Sequence, residues 1–130
     1  MSEKDNNKSS NTILGTFIII VILFIGFSFF SAFGSGGKND EFAKCLTTKG
    51  MKMYGAYWCP HCIDQKKILG KSWEHVNYIE CSLPNRGGQT QACNTANIQS
   101  YPTWETSDGR RIGAVLPLEQ LAEISGCSLE

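Results

Sequence analysis

The sequence lacks a net charge. Its 130 residues carry 12 Lys and Arg against 12 Asp and Glu, so the formal net charge is zero. Basic residues are scattered, and the adjacent Arg110-Arg111 lies beside an Asp-Gly turn that is typical of a solvated hairpin. Proteins that bind nucleic acid usually carry a basic patch or stripe instead. We therefore expect no nucleic acid among the partners of this chain.

Histidine is scarce as well, and this bears on metal binding. Cys59 and Cys62 have the spacing of half a zinc site, but a closed structural site needs four ligands, commonly from a second pair at similar spacing. Cys81 and Cys93 are twelve positions apart, and the two histidines do not form a pair that completes the set. The sequence favours no metal and no cofactor, and a zinc-holding module stays an alternative.

Charge is missing altogether from residues 13–33, which are dense in Ile, Phe, Leu and Val. A helix of that length spans about 30 Å, which is the thickness of the hydrocarbon core of a bilayer. The segment predicts a single transmembrane anchor between a short cytoplasmic tail (1–12) and a flexible Gly-rich linker (34–39). A cleaved secretory signal is the alternative, and both interpretations export the remainder.

The chain has six cysteines, which is dense for a cytosolic protein, where thiols stay reduced. Lys and Arg are nearly balanced on the two flanks of the apolar segment, so the positive-inside rule does not choose an orientation. The cysteines favour a single-pass protein of the cell membrane with its N-terminus inside. The folded domain (40–130) would then be extracytoplasmic, either periplasmic or extracellular.

The motif Trp58-Cys59-Pro60-His61-Cys62 lies at the start of a predicted helix. Proline fits the first helical turn, where its missing N–H is no loss. Because a helix N-terminus carries partial positive charge, it stabilises a thiolate, and thiolates are the reactive form of cysteine. Cys59 is therefore the expected nucleophile, and His61, if protonated, adds a second positive neighbour. The motif predicts thiol–disulfide exchange through a redox-active disulfide between Cys59 and Cys62.

Hydrophobic patterns and turn residues in 40–130 predict the order α-β-α-β-α-β-β-α. Both parallel and antiparallel strand pairs are required, so the expected fold class is α/β, with a central mixed sheet flanked by helices. The predicted helices start at Asp40, an N-cap, at Pro60, near 89 and at Pro117. The predicted strands cover 51–55, 76–80, 101–106 and 111–115.

Four cysteines remain outside the motif, and three pairings are open to them. Cys81 follows a predicted strand and Cys93 lies in the next short helix, so these two can meet locally. Cys45 on the first helix and Cys127 after the last would tie the ends of the domain together. We favour structural disulfides 81–93 and 45–127 over four small buried thiols.

Four aromatic residues lie near the motif or the predicted strands. Tyr57, Trp58, Tyr101 and Trp104 are candidates for an apolar rim that binds unfolded substrates around the active disulfide. Core packing is the competing role for at least half of them.

A strand that leads into Trp-Cys-x-x-Cys, followed by an x-Pro-Thr strand entry, a β-hairpin and a final helix, resembles the thioredoxin fold. Residues 51–62 (MKMYGAYWCPHC), Glu80-Cys81 and 101–104 (YPTW) are most similar to the thioredoxin-like partner domain of vitamin K epoxide reductase homologues. Cys-Pro-His-Cys also resembles the motif of DsbA-type periplasmic oxidants.

The resemblance implies a role for each matching residue. Cys59 corresponds to the solvent-facing attacking thiol and Cys62 to the buried resolving thiol. Pro102 corresponds to the cis-proline, which lies against the disulfide and offers backbone groups to an extended substrate, with Tyr101 and Trp58 beside it. Met53 departs from many thioredoxins, which hold a buried acid there, so proton handling at Cys62 must use water or another group such as Glu80.

Together these features predict a membrane-anchored extracytoplasmic thiol:disulfide oxidoreductase. It would oxidise cysteine pairs in exported proteins, and the resemblance implies reoxidation by a vitamin K epoxide reductase-like membrane oxidase. One alternative is a thiol reductase or isomerase supplied with electrons by a membrane donor. The other is a tethered zinc or binding module without turnover.

Overall fold

The computed structural model describes residues 14–25 and 36–129, and the chain divides into two compact units, Met1–Ser35 and Gly36–Glu130. In the first unit, residues 14–25 form a helix (α1) with mostly exposed apolar side chains. The predicted tail (1–12) and part of the predicted membrane helix (13–33) fall outside the described residues. Among the residues that are described, no helix is both long and apolar enough to cross a membrane.

The second unit contains the motif and follows the order of elements expected from the sequence. Its elements are α2 (Asp40–Thr48), β1 (Lys52–Gly55), α3 (Pro60–Leu69), a 3₁₀ helix (Gly70–His75), β2 (Tyr78–Glu80), a second 3₁₀ helix (Pro84–Arg86), α4 (Gln91–Thr95), β3 (Thr103–Glu105), β4 (Arg111–Ile112) and α5 (Leu118–Ser125).

The four strands form one sheet in the order β2-β1-β3-β4. The central strand β1 pairs in parallel with β2, where Met53 lies opposite Tyr78, and antiparallel with β3, where Met53 lies opposite Trp104. The pair β3–β4 is antiparallel. This mixed sheet with its helices fits the thioredoxin-like fold predicted from the sequence.

The side chains of β1 alternate between two buried clusters because successive residues of a strand point to opposite faces. Met53 lies in the larger cluster with Cys62 and Trp104. Tyr54 lies in the smaller cluster, which is formed with Cys81, Cys93 and Ile98. The larger cluster therefore packs the motif helix against the sheet.

Two disulfides close the domain. Cys45 on α2 is bonded to Cys127, just after α5, and Cys81 at the end of β2 is bonded to Cys93 on α4. These are the two pairings that the sequence favours.

Several element ends differ from the sequence expectation. Asn39 rather than Asp40 is the N-cap of α2, and its N–H is held by the Ser72 hydroxyl, 3.0 Å away. Pro117 is the N-cap of α5 rather than its first helical residue. The end of α3 differs as well from a helix that stops at an αL glycine: its C-cap Gly70 has φ 58° and ψ −133°, and the chain continues there directly into a 3₁₀ helix.

Candidate active site

The motif lies at the start of α3, shortly after the end of β1. Cys59 is the N-cap, with an extended backbone (φ −77°, ψ 120°), and Pro60 begins the helix. The N–H of Cys59 donates to the Ala56 carbonyl (3.0 Å), and the N–H of Ile63 donates to the Cys59 carbonyl (3.1 Å). Cys59 therefore stands at the positive end of the helix dipole, the position that the sequence predicts.

Cys59 is buried, with 7% of the residue exposed, because its sulfur contacts the loop before β3, whereas the resemblance implies a solvent-facing thiol. Its thiol donates to the backbone carbonyl of Tyr101, with 3.7 Å between sulfur and oxygen. The Tyr101–Pro102 peptide bond is cis, and Pro102 itself is buried. The fold thus brings together two predicted site elements that are 42 positions apart in the sequence.

Cys62 lies one helical turn further along and is fully buried. Burial raises the pKa of its thiol to about 12, and the neighbouring Cys59 contributes in the same direction. The backbone of Ala56 and the charge of Lys66 act against this rise. At neutral pH Cys62 is therefore a protonated thiol.

Tyr78 and Glu80 form a hydrogen-bonded pair next to Cys62. The Tyr78 hydroxyl donates to Glu80 Oε2 (2.8 Å), while Glu80 Oε1 accepts the N–H of Tyr57 (3.2 Å) and of Ser82 (2.8 Å). Burial first, and then the bond to Glu80, raises the pKa of Tyr78 above its ordinary value. Sequence reasoning missed Tyr78; the available signal was its position two residues before Glu80, on the same face of one strand.

Exposed aromatic rings lie close to Cys59, beside the loop that contains Tyr101. The Trp58 indole N–H donates to the Ser82 hydroxyl (2.8 Å), and its ring meets Tyr101 edge-on, with 6.4 Å between centroids. Trp58 is 37% exposed and Tyr57 48% exposed. The Tyr57 hydroxyl accepts the N–H of Arg86 (3.2 Å), and the Arg86 guanidinium lies 5.4 Å from the centre of the Trp58 ring.

Trp104 does not belong to this rim. It is fully buried in the larger cluster, and its indole N–H donates to the Gln65 side chain (3.2 Å). Of the four aromatic residues that the sequence singles out, Trp104 therefore has the core-packing role.

The two histidines lie in different places. His61 is exposed in the first turn of α3, and its electrostatic role at Cys59 stays a prediction. His75 ends the first 3₁₀ helix, and its Nε2 is 3.6 Å from the Asp40 carboxylate.

The zinc alternative needs ligands beyond Cys59 and Cys62. Cys81 and Cys93 are bonded to each other and are not free to coordinate. Within 14–25 and 36–129, no group of three or more His, Cys, Asp or Glu side chains is arranged to hold a metal ion.

No protein-family model matches the chain. One similar curated protein is the thiol-disulfide oxidoreductase LTO1 of Arabidopsis thaliana, which is 39% identical over 92 residues. The match covers 68% of this chain and 24% of the plant protein, so the chain spans about a quarter of that relative. The name of the plant protein is that of the class of enzyme predicted here from the sequence, a thiol:disulfide oxidoreductase.

Proposed function

We propose that this chain oxidises cysteine pairs in exported proteins by thiol–disulfide exchange. The observation that carries the proposal is the arrangement of the two motif thiols. Cys59 lies at the N-terminus of α3 beside the Tyr101 carbonyl, and Cys62 is buried behind it with a pKa of about 12. A thiol pair with one sulfur at a helix N-terminus, on a residue that is 7% exposed, and one fully buried sulfur suits sequential exchange.

In the oxidising half-reaction, a substrate thiolate attacks Cys59 of the 59–62 disulfide. The Cys59–Cys62 bond breaks, a mixed disulfide forms at Cys59, and Cys62 leaves with the electron pair and is protonated. A second substrate thiolate then attacks the substrate sulfur of the mixed disulfide, which forms the substrate disulfide and releases Cys59. The substrate loses two electrons, and the enzyme keeps them as the dithiol, the form in which the structure holds the pair.

The surroundings of Cys59 suit an extended, partly unfolded substrate chain. The loop at Tyr101 and Pro102 runs directly beside the sulfur, so its backbone groups can pair with a peptide entering the site. Tyr57 and Trp58 expose aromatic surface next to this loop. The substrate class is therefore a flexible segment with reduced cysteines and apolar neighbours.

We further propose that the chain is anchored in the membrane and reoxidised there by a vitamin K epoxide reductase-like oxidase. The anchor is supported by the uncharged apolar run 13–33, and the extracytoplasmic location by the disulfides 45–127 and 81–93. The partner is supported by the resemblance of 51–62 and 101–104. An anchor would keep donor and acceptor in one plane and raise their effective concentration.

The oxidation of a reduced dithiol peptide by the oxidised full chain tests the activity. The wild type should convert the peptide to its disulfide, and Cys59→Ser should abolish the reaction because the attacked sulfur is gone. The matched variant Cys62→Ser is reduced and mixed with the disulfide form of the same peptide. Its Cys59 thiolate should attack the peptide disulfide and release one peptide thiol, and the mixed disulfide should accumulate because no Cys62 thiol resolves it, as mass spectrometry under non-reducing conditions would show.

Equal peptide oxidation by Cys59→Ser and the wild type would contradict the proposal. The direction of electron flow is checked by equilibrating the 59–62 pair with glutathione. A potential near that of thioredoxin, about −270 mV, would favour the reductase alternative instead.

A further inference from the structure

The resolving thiol has no acidic neighbour on the strand beneath it. Met53 occupies the buried position on β1 that points into the larger cluster with Cys62. Before the Cys62 sulfur can attack a mixed disulfide at Cys59, its proton must leave a buried site. The chain therefore needs a proton acceptor from another element, if the proposed exchange reaction is correct.

Gly55 marks the place where β2 approaches the sulfur. A Cβ atom at Gly55 would lie 2.9 Å from Cys62 Sγ and also 2.9 Å from Tyr78 Cε2. The sulfur and this ring carbon are therefore separated by at most twice that distance. Cε2 neighbours the carbon that bears the hydroxyl, and the two side chains are near enough for the charge of a Cys62 thiolate to contribute to the raised pKa of Tyr78.

The Tyr78 hydroxyl is oriented for proton transfer away from the sulfur. It donates to Glu80 Oε2 (2.8 Å), so its oxygen lone pairs can accept a proton from the other side. Two backbone N–H groups hold Glu80 Oε1 in place, at 3.2 and 2.8 Å. Glu80 is only partly buried, and this lets its carboxylate exchange protons with solvent.

The remaining charged and titratable neighbours do not compete for this role. The Lys66 ammonium of α3 lies 4.1 Å from the centre of the Tyr78 ring, and its charge favours the Cys62 thiolate. Cys59 contributes to the raised pKa of both Cys62 and Tyr78, but its sulfur is held in the mixed disulfide during the resolving step.

We propose that the Tyr78 hydroxyl and the Glu80 carboxylate form the proton path of Cys62. In the resolving step, the Cys62 proton passes to the Tyr78 oxygen while the hydroxyl proton passes to Glu80. The Cys62 sulfur forms a bond to Cys59, the bond between Cys59 and the partner sulfur breaks, and the electron pair leaves with the partner as a thiolate. Glu80 then returns its proton to water, and the reverse path protonates Cys62 when the disulfide is opened.

The test follows the two steps separately with 5,5′-dithiobis(2-nitrobenzoate), an aromatic disulfide whose released thiolate is coloured. Reduced full chain mixed with one equivalent should release one thiolate when Cys59 attacks and a second when Cys62 resolves. Tyr78→Phe and Glu80→Gln should slow the second phase at pH 7 by about tenfold or more and leave the first unchanged. In both variants the second phase should then rise about tenfold per pH unit, because only hydroxide removes the proton.

Tyr54→Phe is the matched control, since it removes a hydroxyl from the opposite face of the same sheet. It should leave both phases unchanged, and Cys62→Ser should show the first phase alone. If Tyr78→Phe and Glu80→Gln both show the second-phase rate and the pH profile of the wild type, the proton path is overturned. A wild type that releases no second thiolate, or that fails to oxidise the peptide, would instead contradict the proposed function.

Discussion

Cys59 and Cys62 are three positions apart in the sequence, yet the fold gives them different surroundings. Cys59 caps α3 and contacts the Tyr101 carbonyl, whereas Cys62 is fully enclosed between the helix and the sheet. Burial raises the pKa of Cys62 to about 12 from an ordinary value of 9.0. The different surroundings of the two thiols therefore come from where the helix packs.

This pKa shift makes a prediction about alkaline stability. The folded pKa of Cys62 lies above the unfolded value, so its contribution to folding is complete below about pH 9 and is lost as the pH rises toward 12. In a Cys59→Ser background, the free energy of unfolding should fall by about 1.4 kcal/mol per pH unit above pH 9 because of Cys62. Urea unfolding at pH 8, 9 and 10 measures this slope.

The double variant Cys59→Ser/Cys62→Ala is the control because it lacks the buried thiol. Its free energy of unfolding should change less than that of Cys59→Ser over the same pH range. Identical slopes in the two proteins would show that Cys62 ionises as an ordinary thiol.

At the scale of elements, one buried side chain joins the motif helix to the segment before α5. Gln65 of α3 donates to the Leu116 carbonyl (2.9 Å) and accepts the Leu116 N–H (2.7 Å), as a neighbouring strand would. Its oxygen also accepts the Trp104 indole N–H (3.2 Å). Gln65 thereby fixes the position of α3, and with it the two motif sulfurs, against β3.

Gln65→Leu should destabilise the protein by about 3 kcal/mol or more. The new side chain has a similar size but leaves the Leu116 backbone groups and the Trp104 N–H buried without partners, each at a cost of about 1–3 kcal/mol. Gln120→Leu, which makes the same change on the exposed side of α5, should cost close to nothing. Denaturant unfolding distinguishes the two variants. Equal losses of unfolding free energy would mean that the hydrogen bonds of Gln65 do not contribute to stability.

At the scale of the whole domain, the two disulfides close loops of different length. Cys45–Cys127 spans 82 positions and ties α2 to the end of α5, whereas Cys81–Cys93 spans 12. A longer loop loses more unfolded-chain entropy when it is closed. The bond between the ends should therefore contribute more to stability.

Replacing both Cys45 and Cys127 by Ala should lower the free energy of unfolding by about 4–5 kcal/mol on chain-entropy grounds. The matched replacement of Cys81 and Cys93 should lower it by about 3 kcal/mol. Urea unfolding of both proteins under oxidising conditions checks the order. A larger loss for the shorter loop would indicate that packing near β2, and not chain entropy, controls the effect.

Much of this domain could be predicted from local patterns. The element order, the start of α3 at Pro60 and the favoured disulfide partners all follow from turn residues, periodicity and cysteine positions. The two 3₁₀ helices and the short lengths of β2, β3 and β4 could not be predicted this way. Their ends are decided by which backbone groups find partners across the sheet, and those partners lie far away in the chain.

The sequence by itself determined the reactive motif and the helix that presents it, because proline at the helix start and the spacing of two thiols act within a single turn. Only the tertiary structure decided which distant groups meet those thiols. It brought the Tyr101 carbonyl to Cys59 and the Tyr78 ring to the pocket around Cys62, while it buried Trp104 and left Trp58 exposed. These contacts depend on strand register and helix packing, which local sequence patterns do not encode.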